Sequence, residues 1–136
     1  MKTYLITPYV SAGPIRFGMS RADVRDAMGY TPREFHKTRQ STQKTDAFDK
    51  DGINVFYGDN GSVNAVEFNG PAKPELNGIT FLGMSEKAVK SWLDENDRNA
   101  QDDLPETGWT STKFGLSWGV DNRRIFTVLA FEKGYF

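Results

Sequence analysis

The chain has 136 residues and a mass of 15.3 kDa, a length that fits one domain. It balances 17 basic against 18 acidic residues, which argues against a protein that coats nucleic acid through bulk positive charge. With no cysteine there is no disulfide, thiol nucleophile or thiolate zinc site, and a single histidine excludes a two-histidine metal site within one chain.

At the start, the apolar stretch Tyr4 to Ile6 meets Pro8. A secretory signal needs an apolar run of roughly 7–15 residues. No stretch approaches the ~20 apolar residues of a membrane helix. With no lipidation motif, the expectation is a cytoplasmic protein without membrane contact, and the lack of cysteine agrees with a reducing compartment.

The next segment, GPIRFGMSRADVRDAMG (13–29), is echoed by GITFLGMSEKAVKSWLD (78–94). Ser20 and Ser85 are each placed to cap a helix, accepting from first-turn amides. Val24, Ala27 and Met28 then fall on one helical stripe, as do Val89, Trp92 and Leu93. Gly29 closes the first helix as a C′ residue. Both helices are short and must dock on something apolar.

Downstream, GINVFYGDNGSVNAVEF (52–68) resembles GLSWGVDNRRIFTVLAF (115–131). Gly58-Asp59-Asn60-Gly61 and Asp121-Asn122 are turn signals between alternating apolar strands. The apolar run Ile125 to Phe131 predicts a strand covered on both faces, or one at the buried centre of the sheet. The linker Asn69-Gly70-Pro71-Ala72-Lys73-Pro74 resists helix and central strand. The expected fold is α+β: one domain over 1–136, made of two tandem helix–loop–β-hairpin repeats (about 1–69 and 75–136), with the helices packed on one antiparallel sheet.

Between helix and hairpin each unit carries a polar insert, and the two inserts have opposite sign. From Tyr30 to Thr45, Arg33, Lys37, Arg39 and Lys44 oppose Glu34. From Asp94 to Glu106, Asp94, Glu95, Asp97, Asp102, Asp103 and Glu106 oppose Arg98. An acidic face speeds encounter with a basic protein and rejects wrong partners. Trp109, just after it, is the kind of aromatic residue that anchors an interface or packs a core.

Catalytic patterns are sparse. His36 lies in a polar loop with no nucleophile motif around it, and no G-x-S-x-G, P-loop or G-x-G-x-x-G occurs. The stretch DENDRNAQDDLPE fails the EF-hand pattern, since Arg98 stands at a ligand position and Asn99 at the glycine. No metal or cofactor is expected. Paired carboxylates from distant positions, such as Asp49 and Glu67, are the remaining acid–base candidates.

Phe17-Gly18-Met19-Ser20-Arg21-x-x-Val24, closed by Gly29, resembles the repeated helix start of the β-lactamase inhibitory protein. It is similar too to the small envelope-assembly lipoproteins of the BamE/SmpA type. The copy at Gly83-Met84-Ser85 departs from that pattern at Glu86 and Asp94. The opening Ile6-Thr7-Pro8-Tyr9-Val10, with the G-x-x-F-G-M-S helix start, resembles small immunity proteins encoded beside polymorphic bacterial toxins of contact-dependent or type VI systems. That resemblance implies a non-enzymatic protein that binds and neutralises one cognate toxin domain, such as a nuclease, and that touches no nucleic acid directly. The expected partner contacts are Asp97, Asp102, Asp103, Glu106, Trp109 and Tyr57. The alternatives are a structural or assembly module like the envelope lipoproteins, and a small acid–base enzyme.

Overall fold

The computed structural model describes residues 2–103 and 108–136. Strands dominate it. The described order is β1 (Thr3–Thr7), β2 (Ser11–Ala12), β3 (Ile15–Arg16), α1 (Arg21–Met28), β4 (Arg33–His36), β5 (Lys44–Phe48), β6 (Ile53–Tyr57), β7 (Val63–Phe68), β8 (Lys73–Leu76), β9 (Ile79–Thr80), α2 (Glu86–Asn96), β10 (Gln101–Asp102), β11 (Gly108–Ser111), β12 (Leu116–Asp121) and β13 (Arg124–Phe131).

The strands form two sheets. The smaller runs β3-β2-β1-β8-β9, and the larger runs β10-β11-β12-β13-β7-β6-β5-β4. This overturns the expected fold of two helix–loop–hairpin repeats on one sheet, and with it the likeness to the β-lactamase inhibitory protein and the BamE-type lipoproteins. The helices hold only 8 and 11 residues, while segments read as loop or linker carry strands. In the first polar insert, β4 pairs with β5 from Arg33↔Ala47 to His36↔Lys44. The linker contributes β8, which lies parallel to β1 with Tyr4 opposite Pro74. Pro74 is tolerated there because β9 pairs only with Glu75 and Leu76. At Pro74 the strand has one neighbour, so no ladder donor is missing on its far side.

The local readings at the helices hold. Ser20 Oγ accepts from the Asp23 N–H at 3.2 Å, and Ser85 Oγ accepts from the Ala88 N–H at 3.1 Å. Gly29 ends α1 at φ +84, a left-handed conformation that costs glycine little. Both expected hairpins also form, β6 with β7 and β12 with β13.

The large sheet has two unlike faces. Alternation puts Val55, Val66, Ala130 and Leu116 in one cross-strand row on the inner face. There they join Val24 of α1, Val89 and Leu93 of α2, and Tyr4, Ile6, Ile15 and Leu76 of the small sheet in a single core. The next row, Phe56, Ala65 and Phe131, faces outward and is covered by Tyr9, Leu129 and Tyr135. That cover is local. Phe126, beside the irregularity at Gly119/Val120, stays 54% exposed, so the apolar β13 run is fully buried on one face only. Among the described residues, no helix is long and apolar enough to cross a membrane.

Candidate functional site

The sheet order sets the two oppositely charged inserts at opposite edges of one sheet. β4 closes one edge and β10 the other, roughly 34 Å apart along the sheet at about 4.8 Å per strand spacing. The edge by β4 carries Lys37, Arg39 and Lys44, all exposed. The other edge, where the end of α2 leads into β10, carries exposed Asp94, Glu95 and Asp102 with half-buried Asp103. The two inserts of opposite sign thus lie at opposite sheet edges, with Lys87, Lys90 and Arg123 standing beside Asp102 at the acidic one.

The acidic corner is built at the exit from α2. Asp97 ends the helix at φ −154, its N–H donating to Leu93 O at 2.7 Å. Its carboxylate turns inward, accepting from Ser111 Oγ at 2.6 Å and from the Asn99 N–H at 3.2 Å. Asp97 is thus a structural residue, 9% exposed, which stitches α2 to β11. β10 follows at once. The Asp103 N–H donates to Gly108 O at 2.8 Å, and Gln101 Nε2 donates to Asp103 Oδ1 at 2.8 Å. Gly108 is needed here: a β-carbon on it would lie 1.9 Å from Trp118 O.

Asp102 stands opposite Trp109, and Trp109 opposite Trp118. Together Asp102 and Trp109 line a groove of about 520 Å³ with Glu86, Lys87, Lys90 and Arg123. Ser85 and the start of α2 close its end. The structure thus brings two of the expected contact residues together, but with different roles. Asp102 is at the exposed rim, while Trp109 is 2% exposed and belongs to the core. Tyr57 is elsewhere: it is buried on the far half of the sheet, and its hydroxyl donates to Asp46 Oδ2 at 2.9 Å. Burial removes Trp109 and Tyr57 from the surface a partner would meet first. Glu106 lies outside the described residues.

The densest polar cluster is one that sequence reasoning missed. Asp46 is fully buried on β5 and takes Arg21 at 2.7 Å and Arg25 at 2.8 and 3.1 Å, as well as the Tyr57 hydroxyl. Arg21 also stacks over the Tyr57 ring at 4.2 Å. Burial first, then the bond to Asp46, drives the Tyr57 hydroxyl far above its ordinary range. The bond to Asp46 raises the Arg25 guanidinium further. Both oxygens of Asp46 are occupied by donors of this chain, which makes the cluster a lock between α1 and the sheet. A nearby pair behaves similarly: burial and the bond to Asp51 push the Tyr30 hydroxyl up to about 12.

The acid–base candidates are also engaged. Asp49 accepts from Arg33 Nε at 2.9 Å and from a second guanidinium nitrogen at 3.2 Å, which lowers its carboxyl below the ordinary range. Glu67 accepts from Asn54 Nδ2 at 2.9 Å. Among the described residues no group of three or more histidines, aspartates or glutamates is placed to hold a metal ion. Compared with known proteins, the chain matches no family model, no curated protein and no solved structure.

Proposed function

We propose that this chain is a non-enzymatic binding protein that masks a basic partner domain through its acidic corner, where α2 meets β10. The observation that carries this reading is the separation of charge across the large sheet: Asp94, Glu95, Asp102 and Asp103 gather at one edge while Lys37, Arg39 and Lys44 sit at the other. Such a dipole orients an approaching basic surface and speeds its encounter. Within this corner Lys90 bridges to Asp94. The groove beside Asp102 supplies a recess for one partner side chain, the geometry in which interface anchors are strongest.

Within this class the proposed activity is neutralisation of a bacterial toxin domain, a nuclease being the basic partner that fits the charge. The test is capture of the partner from the source cells, followed by assay of the captured protein with and without this chain. The expected result is loss of the partner's activity in a one-to-one complex, with association slowed by Asp102→Asn with Asp103→Asn. Full partner activity in the complex, or turnover of a substrate by the purified chain, would overturn the reading.

A further inference from the structure

The opposite edge of the large sheet offers a second surface, independent of the acidic corner. Among the described residues β4 pairs with β5 alone, so half of its backbone N–H and C=O groups point away from the sheet. Arg33, Glu34 and His36 are exposed and Phe35 is half-buried, so no described segment covers the strand. Charged residues commonly blunt such an edge against self-pairing. Here the cations outnumber the acids. Glu34 lies 3.6 Å from Arg25 and Arg33 is paired with Asp49, which leaves Lys37, Arg39 and Lys44 with no ion pair among the described residues. Lys37 is held in place, its Nζ donating to the Tyr135 hydroxyl at 2.7 Å and lying 4.3 Å over the Phe56 ring.

Two hollows on the outer face adjoin the two ends of β4. One, of about 320 Å³, is walled by Arg33, Phe35, Asp49 and Asn54. The other, also about 320 Å³, is walled by Lys37, Thr45, Phe56, Asn64, Tyr135 and Asp59, whose carboxylate accepts from the Thr42 hydroxyl at 2.6 Å. Asn64 Oδ1 is buried and accepts no hydrogen bond among the described residues. An extended segment laid along β4 would gain main-chain hydrogen bonds from the open edge, and its outward side chains would meet these hollows.

We infer that the β4 edge accepts an extended acidic segment of a partner protein as a ninth strand of the large sheet. Main-chain bonds to β4 supply the register, and Lys37, Arg39 and Lys44 select carboxylates. A basic segment is rejected there by the same three charges.

The probe is a ten-residue peptide alternating valine or threonine with glutamate, titrated into the full chain while backbone amide signals are followed. Binding with the largest shifts at residues 33–37 supports the inference. So does a tenfold or greater weakening when the peptide is N-methylated at alternate amides, which removes ladder donors and leaves the charge intact. Lys37→Glu with Arg39→Glu weakens binding by a similar factor, and the lysine analogue of the peptide does not bind. The inference is overturned if the peptide does not bind, if N-methylation leaves affinity unchanged, or if the shifts map to residues 94–103. It stands or falls separately from the acidic-corner reading, because Asp102→Asn with Asp103→Asn leaves this binding unaltered.

Discussion

The two Gly-Met-Ser segments launch their helices in the same way, yet the helices are fastened to the sheet by unlike forces. Ser20 and Ser85 both cap, and each forms an isolated antiparallel bridge, Ser20 with Ser62 and Ser85 with Arg124. Val24 and Val89, four residues after each cap, are both buried in the one core, but the remaining fastenings differ. α1 is tied down by an ionic lock, with Arg21 and Arg25 forking onto buried Asp46. α2 is tied down by aromatic rings: Trp92 lies 5.3 Å from Phe81, 5.2 Å from Phe114 and 6.0 Å from Trp118. A local motif can set where a helix begins, but the residues that hold it come from strands far along the chain.

Substitutions separate the two fastenings. The largest effect is expected at Trp118, which is 1% exposed and packs edge-on against both Phe81 and Trp92. Trp118→Ala should cost about 3–5 kcal/mol in chemical denaturation. Trp118→Phe should cost much less, because it keeps a ring and removes a buried indole N–H that has no acceptor. A Phe variant as damaging as the Ala variant would show that the rings do not hold α2.

On the α1 side, Asp46→Asn should cost about 3 kcal/mol, since it leaves two guanidiniums facing a neutral amide. Replacing the network as a whole, with Asp46→Leu, Arg21→Met and Arg25→Leu, should recover most of that loss, because uncompensated charge rather than lost attraction dominates the penalty. If the triple variant proves less stable than Asp46→Asn alone, the lock contributes net stability of its own.

Alkaline pH sharpens the contrast, because the first half carries Tyr30 bonded to Asp51. Its folded pKa of about 12 lies above the unfolded value of 10, so its contribution is full below pH 10 and is lost as pH rises toward 12. Tyr57, raised further by burial against Asp46, adds to the same loss. Tyr30→Phe should flatten the stability profile between pH 10 and 12, as measured by urea midpoints. An unchanged profile would contradict the assignment. The smallest effects belong to the caps: Ser20→Ala and Ser85→Ala should each cost about 1 kcal/mol, and by similar amounts.

The same contrast explains what was legible in the sequence. Caps, apolar stripes and turns bearing Asp-Asn act over three or four residues, so α1, α2 and both hairpins could be read directly. The strands in the polar inserts could not. Lys44-Thr45-Asp46-Ala47-Phe48 shows no clean alternation, because its last four residues are all buried, including a carboxylate. The available hint was Arg21 and Arg25, four apart on one helix face and therefore able to grip a single acid. β8 was hidden by Pro74, whose exclusion from central strands lapses where one neighbour is missing. At the candidate site, the charge split was plain in the composition of the inserts, but its placement on opposite sheet edges follows from strand order alone. That Trp109 is core and Asp97 an internal clamp depends on Trp118 and Ser111, which no spacing rule connects to them.

The acidic corner is tested most directly by the association rate of this chain with its captured partner at low and high salt. With Asp102 and Asp103 both changed to asparagine, the low-salt rate should fall by about tenfold, and the gap from the unaltered chain should close as salt rises. Equal rates at every salt concentration would show that the partner is met elsewhere on the molecule.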